Sequence, residues 1–219
     1  MEIFKTENLT FTYANKSDPS IIDVSVQINS GEFITICGDT GSGKSTFLKL
    51  LKEEISPKGN MKGKIYFKGK PLSYYSQSDK ASLIGYVSQR PEHQLVTDKV
   101  WRELAFGLEN LNVKSSVILS RVAEMSSYFG IERLYDEEVD NLSGGQKQRA
   151  AIARTLLTQT PILVFDDSLS AVDTETDAKI RDALTRLRLQ GGTRPLRGGI
   201  LIIIAVFGQL CKLFCRSAV

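Results

Sequence analysis

The chain has 219 residues, with 28 basic and 25 acidic side chains, a formal net charge of +3 and one histidine. Its 42% hydrophobic, 24% charged and 8% aromatic content describes one folded domain, or a tight pair, with a real core. It excludes collagen, a disulfide scaffold and a wholly disordered chain. The charge is unevenly placed. Asp182 is the last acid, and Arg186, Arg188, Arg194, Arg197, Lys212 and Arg216 follow it, so residues 1–182 hold 22 basic against 25 acidic groups. The body is therefore mildly acidic and shows no nucleic-acid footprint. Three cysteines (Cys37, Cys211, Cys215) fit a reducing cytoplasm rather than a disulfide framework. Met1–Thr10 carries Glu2, Lys5 and Glu7 and does not read as a signal peptide. The longest apolar run, Ile200–Phe207, is too short to span a bilayer, so membrane contact is expected only through a partner.

Residues 3–13 alternate through Ile3, Leu9, Phe11 and Tyr13 and predict a strand, followed by a polar turn at Asn15–Ser20. Ile22, Val24, Val26 and Ile28 predict a half-buried strand over Ile21–Ile28. Glu32–Cys37 reads as a buried strand, residues 38–43 as a glycine-rich loop, and Ser45–Ile55 as a helix with Phe47, Leu48, Leu51 and Ile55 on one face. Gly59–Lys70 reads as a hairpin-like region around Lys64–Phe67, and Leu83–Ser88 as a buried strand. Between Gln89 and Asn141 the period turns helical: Val100, Trp101, Leu104, Ala105 and Leu108 form one face, Val117, Ile118, Val122, Met125 and Phe129 another. Gln146–Leu157 predicts a helix, Pro161–Phe165 a strand, Asp173–Leu189 a helix and Ile200–Phe207 one more strand. Strands alternating with helices indicate an α/β fold with a parallel sheet.

Gly38-Asp39-Thr40-Gly41-Ser42-Gly43-Lys44-Ser45 fits G-x-x-x-x-G-K-[ST] between a predicted strand and a predicted helix. Glycines let the backbone curl so that successive N–H groups point at phosphate oxygens, and the helix adds its positive N-terminal end. Lys44 of such a loop can reach the β and γ phosphates, and the Ser45 hydroxyl can hold Mg²⁺. The plainer reading is a glycine-rich turn that binds nothing. Ile162-Leu163-Val164-Phe165-Asp166-Asp167 is an apolar strand ending in two carboxylates. Downstream of a phosphate loop, the first acid suits Mg²⁺ and the second suits orienting or deprotonating a water; taken alone, it is a buried strand with a solvated acidic turn.

Leu142-Ser143-Gly144-Gly145-Gln146, together with Gly38–Thr46 and Ile162–Asp167 in that order, resembles the ATP-binding domain of an ABC transporter over residues 1–190. The resemblance implies a P-loop NTPase α/β core with a mostly parallel sheet, a small N-terminal antiparallel portion and a helical insertion over about 90–141. It implies ATP and Mg²⁺ as ligands. The implied ATP-binding residues are Tyr13 (stacked on adenine), Gly38, Thr40, Gly41, Ser42, Gly43, Lys44, Ser45 and Thr46. From a second copy come Ser143, Gly144, Gly145 and Gln146, because the family pairs head to tail around the nucleotide. Ser45, Gln89 and Asp166 would hold the metal, and Asp167, Gln89 and Lys44 would serve hydrolysis. Ser170–Asp173 fits the loop that crosses the dimer interface. The implied partners are a transmembrane transporter subunit and a second ATP-binding subunit, like or unlike, with no nucleic acid, at the cytoplasmic face of the membrane.

The match is not uniform. Tyr86–Leu95 and Val100–Glu109 resemble importer ATPases of the energy-coupling-factor and cobalt type, whereas Phe165–Asp173 resembles a multidrug-exporter half. This suggests a hybrid joined near Leu142–Arg149. The family's usual catalytic glutamate is Asp167 here, one methylene shorter. The histidine expected after the strand Ile200–Phe207 is missing, and His93 reads as a loop residue. Residues 191–219 form a divergent, acid-free tail that suggests a frame-shifted or truncated end, an edge strand with a short helix, or a basic membrane-surface segment. The expected function is an ATP-hydrolysing transport subunit. The alternatives are a nucleotide-binding subunit that does not hydrolyse, and a soluble ABC protein of DNA repair or translation.

Overall fold

The computed structural model describes residues 1–76, 79–80, 83–167 and 182, and the backbone of 201–207. The expected helix Asp173–Leu189, the loop Ser170–Asp173 and the rest of the tail lie outside the described residues. In chain order the elements are β1 (Glu2–Tyr13), β2 (Ile21–Asn29), β3 (Phe33–Gly38), α1 (Lys44–Leu50), β4 (Gly59–Phe67), β5 (Lys70–Pro71), β6 (Ile84–Val87), α2 (Val100–Asn110), α3 (Ser115–Tyr128), α4 (Gly144–Leu157), β7 (Ile162–Asp166) and β8 (Leu201–Phe207). Two four-stranded sheets result: an antiparallel one ordered β2-β1-β4-β5 and a parallel one ordered β3-β8-β7-β6. The fold is the expected mixed α/β core. No helix among the described residues is long and apolar enough to cross a membrane.

The antiparallel sheet corrects the simple alternation read from its first two strands. In β1 the buried phase runs Phe4, Thr6 and then Leu9, Phe11. The switch from even to odd positions falls at Asn8, where φ is +48° and the pairing with β2 and β4 shifts register. In β2 the inward residues are Ile21 and Ile28, while Ile22 and Val26 are exposed. Asp23, at φ +51°, absorbs the odd spacing. The expected hairpin over Gly59–Lys70 is present: β4 turns at Lys68-Gly69 into β5, and β4 also runs antiparallel to β1 from Gly59 to Phe67.

The parallel sheet is the stage for the site. β7 is buried along its whole length, as a strand covered on both faces must be. Ile162 and Val164 pack with α1 and the antiparallel sheet, and Leu163 and Phe165 pack with α2, α3 and α4. β8 lies between β3 and β7 with in-register parallel pairing, from Phe33↔Ile202 to Gly38↔Phe207 on one side and Ile162↔Leu201 to Asp166↔Ala205 on the other. The reading of this segment as an edge strand is therefore corrected: it is central, consistent with its unbroken Leu-Ile-Ile-Ile-Ala-Val-Phe composition. α1 is shorter than predicted. It closes at Leu51 and the chain enters a 3₁₀ turn at Glu53–Ile55, which leaves Ile55 exposed rather than on the buried face.

Candidate functional site

The glycine-rich loop joins the carboxyl end of β3 to α1. Gly43 caps α1 with φ +91°, and a Cβ there would sit 2.4 Å from the Ser20 carbonyl oxygen, so both conformation and space require glycine. Gly41, at φ +84°, lets the loop double back. No side chain caps α1 and no acid sits in its first turn. The positive helix end is thus left for something outside the helix. Lys44 folds across the loop: Nζ donates to the carbonyl oxygens of Gly38 (2.7 Å) and Asp39 (2.6 Å) and to Ser42 Oγ (3.2 Å). Thr40 and Ser42 stand exposed on the loop.

An open pocket of about 400 Å³ lies against this loop, lined by Gly41, Gly43, Lys44, Ser45 and Thr46 and by Tyr13. Tyr13 is the last residue of β1. Its ring packs edge-on against Phe11 with centroids 5.2 Å apart, Lys16 Nζ lies 5.7 Å from its centroid, and its hydroxyl is 2.8 Å from Thr46 Oγ1. Thr46, assigned to the ligand by resemblance, is therefore buried and tied to Tyr13.

The second carboxylate strand meets the loop directly. Ser45 Oγ donates to Asp166 Oδ1 at 2.6 Å, across 121 residues of sequence. The other oxygen, Oδ2, accepts from the Tyr86 hydroxyl at 2.8 Å. Asp166 is 1% exposed. Burial first, and then the neighbouring Asp166 carboxylate, push the Tyr86 phenol far above its ordinary value of 10, so it stays a donor at any working pH. Asp167 follows at φ +50°, a left-handed conformation that aspartate tolerates better than most residues, and it too is buried. Gln89 is exposed just past the carboxyl end of β6, the parallel neighbour of β7.

Ser45 and Asp166 offer a hydroxyl and a carboxylate, hard oxygen donors that fit Mg²⁺. This ion takes few protein ligands and completes its shell with phosphate oxygens and water. Among the described residues no group of three or more His, Cys, Asp or Glu is assembled into an all-protein metal cage.

Ser143, Gly144, Gly145 and Gln146 form the start of α4. Ser143 Oγ accepts from the Gln146 N–H at 3.3 Å, and the Gln146 side chain accepts from the Ser143 N–H at 2.8 Å, a reciprocal capping box. The bland reading of these residues as a helix start is thus realised. It does not account for the glycines. Neither Gly144 nor Gly145 has a left-handed backbone, both are exposed, and among the described residues a Cβ on either would meet nothing within 4 Å.

Sequence reasoning assigned no role to Tyr86, Gln94, Glu103 or Arg154. Gln94, in the 3₁₀ turn Pro91–Gln94, clamps the end of β6: its Oε1 accepts from the Ser88 N–H (2.9 Å) and its Nε2 donates to the Tyr86 carbonyl (3.2 Å). Arg154 of α4 donates to the Gln94 carbonyl (2.7 Å) and pairs with Glu103 of α2. The available signal was a tyrosine and a glutamate at positions whose neighbours are buried and apolar, since such groups need partners. His93 is exposed in the same turn, as expected.

Comparisons with known proteins give the family. A family model described as ABC transporter matches residues 21–170. A protein named as an ABC transporter ATP-binding protein in Bacillus cereus is 41% identical over 166 residues, which is 76% of this chain and 30% of that protein. The chain thus spans less than a third of that relative's length. The energy-coupling factor transporter ATP-binding protein EcfA1 of Halalkalibacterium halodurans is 34% identical over 188 residues, 85% of this chain and 66% of that protein. Among solved structures, cbiO1 of Clostridium perfringens, part of the ABC transporter complex cbiONQ, aligns with a TM-score of 0.73 and 30% identity over 94% of this chain and 79% of its own. A dimeric ATP-binding cassette in a post-hydrolysis state with ADP and Pi aligns with a TM-score of 0.78 and 25% identity over 93% and 88%. The chain therefore belongs to the ABC transporter family, as one of its ATP-binding domains.

Proposed function

We propose that the chain binds ATP with Mg²⁺ in the pocket between Tyr13 and the glycine-rich loop, hydrolyses it, and powers a transporter of the energy-coupling-factor type. The observation that carries this reading is the Ser45–Asp166 hydrogen bond. It joins the loop hydroxyl to the carboxylate at the end of β7 beside a nucleotide-sized pocket. On this reading Lys44 exchanges carbonyl acceptors for phosphate oxygens, which form stronger, charge-assisted bonds. The backbone N–H groups from Gly38 to Thr46, with the side chains of Thr40 and Ser42, wrap the phosphates, and Tyr13 offers its ring to the base. Ser45, Gln89 and Asp166 hold the metal, which when bound neutralises charge on the β and γ phosphates. Asp167, assisted by Gln89, orients the attacking water. Ser143, Gly144, Gly145 and Gln146 close the site of a second ATP-binding subunit. The two glycines that this fold leaves unexplained support that pairing. We take residues 1–190 as the ATP-binding domain, with its helical insertion at about 90–141, and 191–219 as a tail. The names of the relatives and the cbiONQ neighbour support attachment to a transmembrane subunit at the cytoplasmic face.

Phosphate release by the purified chain tests the reading, with Lys44→Ala as the control that abolishes it. Tight MgATP binding without turnover would leave binding standing and remove hydrolysis. In that case Asp167→Glu locates the defect. A rise of at least tenfold assigns it to the missing methylene, since misplacing a catalytic group by about 1 Å costs on the order of a hundredfold.

A further inference from the structure

We propose that Tyr86 is a positioning residue for the metal-binding carboxylate: its hydroxyl holds Oδ2 of Asp166 so that Oδ1, on the Ser45 side, is the oxygen presented to the metal. The inference rests on the MgATP reading above. β6 and β7 are parallel neighbours in which Tyr86 pairs with Val164, two residues before Asp166 and on the same face. The phenol is long enough to reach forward along the strand to the carboxylate, and it does so at 2.8 Å. A carboxylate left to itself turns easily about its last torsion, which has a broad, two-fold profile. Here each oxygen has a separate donor, Ser45 Oγ on Oδ1 and Tyr86 on Oδ2. The two donors differ in kind. Ser45 lines the pocket and on the MgATP reading is itself a metal ligand, so its bond to Oδ1 is available for exchange. Tyr86 is buried within β6 and lines no part of that pocket, so its bond persists when the pocket fills. Tyr86 in turn is fixed by Gln94, whose side chain brackets it through the Tyr86 carbonyl and the Ser88 N–H. The chain thus supplies a carboxylate whose rotation is set before any ligand arrives, the arrangement by which outer partners tune metal affinity.

The test is Tyr86→Phe, which keeps the ring and removes the donor. Binding of a fluorescent ATP analogue is measured in EDTA and against increasing MgCl₂, and Mn²⁺ binding in the presence of ATP is measured by electron paramagnetic resonance. Nucleotide affinity in EDTA should stay within twofold of the unsubstituted chain. The Mg²⁺ and Mn²⁺ concentrations at half-saturation should rise 10- to 100-fold, the usual effect of losing an outer partner, with most of the turnover recovered at saturating Mg²⁺. A merely structural role would shift the thermal midpoint without moving the metal dependence. Unchanged metal half-saturation in a folded Tyr86→Phe chain overturns the inference while the site reading stands, provided that Asp166→Asn loses metal-dependent binding. If the unsubstituted chain shows no metal-dependent ATP binding, the site reading falls and the inference with it. Should Tyr86→Phe fail to fold, Tyr86→Met, flexible and without a donor, carries the same comparison.

Discussion

Arg154 of α4 and Glu103 of α2 form an ion pair beneath the surface, with Glu103 fully buried and the Arg154 side chain 14% exposed. The carboxylate also accepts from the Val96 and Thr97 N–H groups and from Thr97 Oγ1, each at 2.9 Å. The guanidinium reaches on to the Gln94 carbonyl. One pair thus fastens the helix that carries Ser143–Gln146 to α2 and to the turn that clamps Tyr86. Removing one member leaves a buried charge without its partner. Arg154→Ala should therefore lower unfolding free energy by about 3–5 kcal/mol in chemical denaturation. Glu103→Leu combined with Arg154→Met should recover much of that loss, because a buried ion pair is often worth no more than well-packed apolar groups. If the double substitution is as costly as the sum of the singles, the pair is not the unit that matters.

Tyr13 tests the base end of the pocket. Its ring is positioned by Phe11 and its hydroxyl by Thr46. Stacking needs the ring and not the hydroxyl. Tyr13→Phe should hold ATP affinity within about threefold, whereas Tyr13→Ala should lose about 1–3 kcal/mol, the usual worth of base–aromatic stacking. Equal losses in both variants would assign the contribution to the Thr46 bond instead. Calorimetric titration with MgATP separates the two.

The local pieces of this site were legible because each is written in adjacent residues. The phosphate loop, the carboxylate pair after an apolar run and the Ser-Gly-Gly-Gln helix start need only spacing and residue type. What escaped depends on contacts between distant segments. Tyr86 meets Asp166 only because β6 and β7 pair in one register, and Gln94 meets Arg154 only once α4 packs under the turn. The central place of β8 is likewise a matter of sheet order, which no local pattern encodes. The misplaced phases in β1 and β2 have a different origin. A single bulge at Asn8 or a left-handed Asp23 shifts every later side chain to the opposite face.

Gly145 separates the needs of the fold from those of the proposed dimer. Glycine in a helix costs up to about 1 kcal/mol relative to alanine, and among the described residues a Cβ here would meet nothing within 4 Å beyond its own helix backbone. Gly145→Ala should leave the isolated chain as stable or more stable in denaturant. It should weaken MgATP-dependent pairing measured by size-exclusion chromatography with light scattering, because on the proposed function the added methyl would lie on the face offered to the second subunit. Unimpaired pairing would remove that face from the interface.

Acid sensitivity has a definite sign at the turn between β2 and β3. Glu32 accepts from the Asn29 N–H at 2.8 Å and from Asn29 Nδ2 at 3.0 Å. The backbone bond first, and the side-chain bond next, hold its carboxyl below the ordinary value of 4.5. Glu7 shifts the same way, chiefly through its hydrogen bond from Lys5. A carboxyl held low in the folded chain binds its proton later than in the unfolded chain. Its contribution is complete above the unfolded value and disappears as pH falls through the folded one. Stability should therefore drop on acidification between about pH 5 and pH 3, and Glu32→Gln should make that part of the profile flatter while lowering the plateau near neutrality slightly. Denaturation midpoints across this range measure the slope, and a slope unchanged by the substitution would show that Glu32 takes no part in it. Both groups are near the surface, so raising the ionic strength should weaken the Glu7–Lys5 component more than the Glu32 component, whose partners are uncharged amides.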